Sequence, residues 1–344
     1  MLRRTRREFI KAVGGTLGAP ILARAAEPLG ALPEALDRPT TTGVDASRKS
    51  IVAHLRSDLA IPDGKVHETF LLEMLEDSLL LATGKLHAGE AWNTLLERDD
   101  AIGLKFNHVG ETVIGTTTGM ARQLVKSLIT TGDIAPERIM LIEVDARTRN
   151  VIETSLSEEL GIKVKTKSPV FGFSGEEVDF GSGAERLSAV LQEVTGTINV
   201  PFLKTHNIAT VTGCLKNLSH ALIRRPVRYH DNGCAPYVGD ILALPEIHGK
   251  LRLHVVNALR VVYDGGPDPA TQNAVWSHGG LIVSTDPVAA DFIGTDVINE
   301  ERQKRKLAQL GDRLGQVPYI HAAAKRELGT DDQDYIELRD TPLG

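Results

Sequence analysis

The stretch from Ala101 to Leu160 constrains the fold more than any other part of this 344-residue chain. Ala101-Ile102-Gly103-Leu104-Lys105-Phe106-Asn107 is apolar until the charge at Lys105 and reads as a strand. Gly115 to Thr131 follows as a helix entered through threonines and closed by Thr131-Gly132-Asp133. Arg138-Ile139-Met140-Leu141-Ile142-Glu143-Val144 is a short continuous apolar run of the kind a parallel sheet buries on both faces. Arg147 to Leu160 is a further helix. A strand, helix, strand, helix rhythm with connections of this length specifies βαβ units. The expected fold class is therefore α/β, a mainly parallel sheet flanked by helices in a single large domain.

The flanking segments are consistent with that class. Val66 to Leu81 places acids among leucines at helical intervals, with Thr83-Gly84-Lys85 as its stop. Thr197 to Lys204 is a strand candidate compromised by Pro201, so it lies at an edge or ends early. Leu251 to Tyr263 reads as a strand that gives way to a turn around Asn257-Ala258-Leu259-Arg260. Gly280 to Ser284 is a strand, and Thr285-Asp286-Pro287 starts a helix with a capping side chain and proline at its first position. The chain contains no internal repeat.

Ahead of the domain, Arg6-Arg7-Glu8-Phe9-Ile10-Lys11 precedes a mildly apolar run and then Ala23-Arg24-Ala25-Ala26. Paired arginines, an aromatic two places on and an A-x-A site form the pattern of a twin-arginine export signal. The run from Ala12 to Ala23 carries Gly14, Gly15, Gly18 and Pro20, too short and too weakly apolar to span ~30 Å of hydrocarbon. The expected division is a signal peptide over 1–26, a linker over 27–50 and the α/β domain over 51–344. Export machinery is thus an expected partner, the periplasm an expected destination, and a permanent membrane span is not expected.

Charge narrows the partners further. The chain has 39 basic and 45 acidic residues, and removing the six basic and one acidic residue of the signal leaves a formal charge of −11. Binding to phosphate backbones depends on lysine and arginine releasing counterions, so such a surface disfavours nucleic acid. It disfavours anionic membrane surfaces for the same reason. The two cysteines, Cys214 and Cys234, give no four-cysteine iron–sulfur pattern. An oxidising compartment permits one bridge between them, closing a loop of about 20 residues.

Chemistry-bearing residues are densest from Leu203 to Pro236, where Lys204, His206, Cys214, Lys216, Asn217, His220, His230 and Cys234 stand around Gly213 and Gly233. Three readings compete. Imidazole nitrogens and thiolates suit a metal ion, held by some of His206, Cys214, His230 and Cys234, although the spacings match no zinc motif. An anion site is the second: Lys105 and Lys204 both follow apolar strands, whose carboxyl ends hold ligands in open α/β sheets. Thr210-Val211-Thr212-Gly213 would then lead into a helix whose amino end could take a carboxylate or phosphate. The bland reading puts Lys216 and Arg224 on a solvated helix face, buries Cys214, and leaves His220 capping or packing.

Three acids compete for the same site. Asp264 precedes the tight turn Gly265-Gly266-Pro267, which would let backbone approach a ligand closely. Asp286 is explained by its helix cap alone. Asp291, amid Val288, Ala289, Ala290, Phe292 and Ile293, faces a polar pocket or a buried lysine. Pairing of Asp264 or Asp291 with Lys105 or Lys204 would perturb both proton affinities in a way suited to acid–base work. Gly181-Ser182-Gly183 lacks the spacing of a dinucleotide fingerprint, and neither a Gly-x-Ser-x-Gly elbow nor a His-Glu-x-x-His helix is present. His54, His67 and His87 read as surface residues.

Several segments resemble, in order, the bacterial and archaeal domain of unknown function family 362. They are Leu104-Lys105-Phe106-Asn107, with Phe106 where a proline is common, Phe202-Leu203-Lys204-Thr205-His206, Val211 to Leu218, Asp264-Gly265-Gly266-Pro267 and Leu281 to Asp291. Tyr319 to Ala324, Leu328-Gly329 and Tyr335 to Leu338 resemble the family's closing segment. Some relatives carry ferredoxin-like cysteine clusters, which this chain lacks. The resemblance implies one site built from Lys105, Asn107, Lys204, His206, Lys216, Asn217, Asp264, Asp286 and Asp291. Arg228 to Cys234 is similar to an exported subgroup, which favours His230 and Cys234 as members of it.

The expected role is an enzyme or binding protein for a small anionic molecule. Lys105, Asn107, Lys204, Lys216, Asn217 and Asp286 would bind the ligand, and His206, Asp291 and Asp264 would supply catalytic groups. The alternatives are a metal-dependent redox protein with His206, His230 and Cys234 as ligands, and a non-catalytic partner of another exported protein.

Overall fold

A computed structural model describes residues 49–170, 172–312 and 315–343. The export signal over 1–26 and the linker, up to residue 48, lie outside the described residues. Strand β1 (Ser50–Arg56) leads to helices α1 (Glu68–Thr83) and α2 (Ala88–Leu95). The βαβ run then appears as expected, through β2 (Ile102–Lys105), α3 (Glu111–Ile114), α4 (Thr117–Thr130), β3 (Ile139–Ile142), α5 (Ala146–Leu160) and β4 (Lys165–Lys167). Strands β5 (Val178–Asp179) and β6 (Ala184–Glu185) pair as a separate ribbon. The second half comprises β7 (Gly196–Asn199), β8 (Phe202–His206), β9 (Thr210–Thr212), α6 (Cys214–Ser219), α7 (Tyr237–Leu242) and α8 (Pro245–His248). It closes with β10 (Leu251–Val262), β11 (Val275–Ser284), α9 (Pro287–Lys304), α10 (Pro318–Lys325) and β12 (Ile336–Pro342).

Ten strands form one sheet in the order β12-β1-β11-β10-β7-β2-β3-β4, with β8 pairing β10 and β9. Pairs from β10 through β7, β2 and β3 to β4 are parallel, as is β1 with β12, while β11 runs antiparallel to both its neighbours. The architecture is thus a mainly parallel mixed sheet in a single domain. Successive strand residues face opposite layers. Val256 and Ile282 enter a core with Leu215, Ile241, Val288 and Tyr319, whereas Val255, Leu281 and Val283 enter one with Leu75, Trp92, Leu124 and Ile152. Helices therefore cover both faces. Among the described residues no helix is long and apolar enough to cross a membrane.

Two strand expectations change. The turn expected within Leu251 to Tyr263 is a register shift between Ala258 and Arg260 inside one 12-residue strand. Asn257 absorbs its own polar groups there, donating through Nδ2 to Thr116 Oγ1 at 2.9 Å and accepting Leu259 N at Oδ1 at 3.3 Å. The strand from Thr197 ends early, at Asn199, and Pro201 separates β7 from β8 while its carbonyl accepts Asn257 N at 2.8 Å. Both pieces pair with β10, so this proline lies inside the sheet's path and not at an edge. His54 also departs from expectation: it is 3% exposed, with Nδ1 at 3.1 Å from Asp340 and Nε2 at 2.9 Å from His278. His67 and His87 are exposed as expected.

Candidate functional site

Parallel strands β2, β3 and β7 end side by side, and the residues at and just beyond those ends form a polar centre. Lys105 closes β2 and is 1% exposed. Its Nζ donates to Glu143 Oε2 at 2.5 Å, to the Phe106 carbonyl at 2.7 Å and to Asn217 Oδ1 at 3.1 Å. Glu143 follows β3 and holds a left-handed backbone at φ 62°, a conformation that costs a non-glycine residue energy and tends to cluster at functional sites. Its other oxygen meets His108 Nδ1 at 3.0 Å. Burial alone would raise the Glu143 carboxyl, but Lys105 and His108 hold it below the ordinary carboxylate range. The bond to Glu143 raises His108, while burial lowers Lys105 against the pull of Glu143.

A ladder of amides ties this corner to the sheet. Asn217 Nδ2 donates to Asn199 Oδ1 at 2.7 Å and to the Lys105 carbonyl at 3.2 Å. Asn199 Nδ2 in turn reaches the Cys214 carbonyl at 3.0 Å and His254 Nδ1 at 3.2 Å. Burial pushes His254 down to about 3, so it stays neutral behind the site.

Lys204 is fully buried on β8 and lacks such a partner. Its Nζ donates to the Val109 carbonyl at 2.5 Å and approaches Asn107 Oδ1 at 3.4 Å. Burial pushes it down to about 7, opposed by Glu143 and Asp268 and reinforced by Lys216 and Lys105. Lys216, on a solvated face only in the bland reading, is 6% exposed and contacts His230 Nε2 at 2.9 Å and the Cys234 thiol. His206 stacks on His230 with ring centres 5.7 Å apart. Its Nδ1 accepts Ile208 N and Ala209 N at 3.1 and 3.2 Å, which leaves the proton on Nε2. Burial, then Lys216, His230 and Lys204, push His206 down to about 3, so it is a neutral donor.

The structure thus brings together Lys105, Asn107, Lys204, His206, Lys216, Asn217, His230 and Cys234. Of the acids, Asp291 and Asp286 lie elsewhere. Asp291 accepts Cys214 N at 2.5 Å and Leu215 N at 3.1 Å, so the amino end of α6, expected to receive an external anion, already holds an internal carboxylate. Gly213 makes room for it, since a Cβ there would sit 2.1 Å from Asp291 Oδ1. Burial raises Asp291 to about 7, opposed by those two amides. Asp286 caps α9 through Val288 N and Ala289 N and also receives Ser50 Oγ and Thr330 N. Asp264 pairs with Arg302 at 3.0 Å on the rim of a hollow of about 390 Å³ that His206, Thr205, Asn207 and Gly266 also line. Gly266 serves packing: a Cβ on it would meet the Thr205 carbonyl at 1.9 Å.

The cysteines are both free and buried. Cys214 turns toward Asp291, and Cys234 toward Lys216, two residues on and therefore ~200° round the same helix. That divergence leaves the permitted bridge unmade. Among the described residues, the groups able to hold a metal are His220, His230 and Cys234, whose ligand atoms lie within 4.8 Å of one another. His220 replaces the expected His206 in that set.

Residues 102–296 match the family described as Domain of unknown function (DUF362). The chain belongs to that family. The matched DUF362 region holds every residue of the centre described above. A solved structure of the lactate racemase apoprotein from Thermoanaerobacterium thermosaccharolyticum is similar over 77% of this chain and 59% of that one. Identity there is 10% and the TM-score 0.40, and this chain spans less than two thirds of that protein's length. No curated protein matches.

Glu143, His108, Asn199 and His254 were not singled out in the sequence. Glu143 carried a usable signal, a charge interrupting an apolar strand run as Lys105 does. Its partnership depends on β2 and β3 being neighbours.

Proposed function

We propose that this protein binds a small anion of the carboxylate or phosphate class where Lys105, Lys204 and Lys216 converge, with Lys204 carrying the exchangeable proton. The observation that carries this reading is a charge imbalance. Three buried lysines meet, and among the described residues Glu143 is the carboxylate bonded to any of them. Buried charge without a counter-charge is costly, which is why Lys204 rests near neutrality. An arriving anion reverses that balance and returns the proton to Lys204. His206, fixed as an Nε2–H donor on the wall of the 390 Å³ hollow, supplies a neutral hydrogen bond and does not need to act as a base.

Calorimetric titration with oxalate and with inorganic phosphate, each in two buffers of different ionisation heat, tests this. Binding at pH 8 takes up a proton, because Lys204 is then mostly neutral; at pH 6 uptake disappears and affinity is higher. Lys204→Met weakens binding tenfold or more, about 1.4 kcal/mol. Binding of neither probe, or binding indifferent to Lys204, overturns the reading. We also propose export by the twin-arginine route, carried by Arg6 and Arg7; replacing both with lysine should retain the protein in the cytoplasm.

A further inference from the structure

We infer that His220, His230 and Cys234 form a site for a zinc-class divalent cation, and that the Lys216 ammonium is the group such an ion displaces. Two imidazoles and a thiol are the donor set that zinc-class ions select. Bonds of ~2.0–2.3 Å place tetrahedral donors ~3.3–3.7 Å apart, so atoms now within 4.8 Å need to close by roughly 1 Å. The rings are already oriented for this. His230 Nδ1 is 3.0 Å from the Pro226 carbonyl, and His220 Nε2 is 2.9 Å from the Tyr229 carbonyl. Each ring therefore keeps one N–H on a backbone carbonyl, the arrangement that holds metal-binding histidines; the other nitrogen carries the lone pair, which on His230 meets Lys216 Nζ at 2.9 Å and on His220 accepts Ser219 Oγ at 3.1 Å, a bond that an entering ion also displaces. One short turn, Pro226–Tyr229, supplies both carbonyls.

Two more observations point to the same place. Asn232, Gly233 and Cys234 are three consecutive residues in left-handed conformation, at φ 52°, 62° and 67°. Only the glycine adopts this freely, so the chain accepts strain where it delivers a buried thiol. The Lys216 ammonium already lies 2.9 Å from His230 Nε2 and against the Cys234 thiol. A cation thus bridges two of the three donors. When a divalent ion enters, the Cys234 S–H bond breaks and a sulfur–metal bond forms, the thiol proton goes to solvent, and Lys216 gives up its contact with His230. No electron transfer is involved; the site shares Lys216 with the anion reading, but the displacement draws nothing from Lys204.

Titrating chelator-stripped protein with Co²⁺ in buffer free of small anions decides the matter. The expected result is one ion per chain with a thiolate-to-cobalt charge-transfer absorption, which Cys234→Ala abolishes. His220→Gln should weaken binding tenfold or more, and Lys216→Met should tighten it tenfold or more by removing the competing cation. Lys204→Met should bind Co²⁺ as the wild type does, which separates this result from failure of the anion site. Near-UV circular dichroism confirms that each variant is folded. Absence of stoichiometric binding in both wild type and Lys216→Met overturns the site, as does a charge-transfer band that survives Cys234→Ala. Weaker binding by Lys216→Met overturns the displacement.

Discussion

Lys105 and Lys204 end neighbouring parts of the same polar centre, are equally buried, and differ in what meets the ammonium. Lys105 has a carboxylate at 2.5 Å and a side-chain amide behind it, whereas Lys204 has only carbonyl oxygens. The first is a closed pair whose value is structural, since removing either member strands the other charge. The second is kept short of counter-charge, and burial pushes it down to about 7. Burial alone therefore does not separate the two lysines; the charge that meets each ammonium does.

The largest effect should come from breaking the closed pair. Glu143→Gln is expected to cost about 3 kcal/mol or more in urea unfolding, because Lys105 would remain buried without its carboxylate. A cost below ~1 kcal/mol would remove the distinction between the two lysines. Gly213→Ala should come next, at about 2 kcal/mol, as its methyl group is forced against the Asp291 carboxylate capping α6.

Lys204→Met should do the opposite and leave stability unchanged or slightly higher. Its signature lies in pH dependence. In the folded protein Lys204 titrates at about 7 against an ordinary 10.5, so between these values the unfolded chain holds a proton that the folded one lacks. Unfolding then takes up a proton, and wild-type stability should rise with pH from about 7 towards 10. The variant should lose that rise. Matching slopes in both proteins would show that Lys204 is not the group responsible. The smallest effect belongs to His108→Ala, since that side chain is half exposed and its contact with Glu143 is worth less than ~1 kcal/mol.

The sequence carried the layered α/β architecture because its main signals were local. Lys105 and Lys204 stand out at the ends of apolar runs, and the Asp286-Pro287 cap behaves in the fold as its residues dictate. Asp291 showed a buried demand without showing its partner. Its partner is a backbone, the first two amides of α6, and backbone carries no residue-type signal. Lys216 and His220 suited a helix surface equally well until packing by the 226–234 segment enclosed them. The β10 misreading has a similar origin: Asn257 favours a turn in isolation, but a neighbouring threonine and a register shift satisfy it within a strand.

Strand β1 has two sheet neighbours, β11 and β12, and both follow it in the chain only after all the other strands. A nascent chain halted before residue 336 would present β1 with one side unzipped over all seven of its rungs. Assembly of this margin must therefore wait until residues 336–342 have been made, and a molecule without them carries an adhesive border along β1.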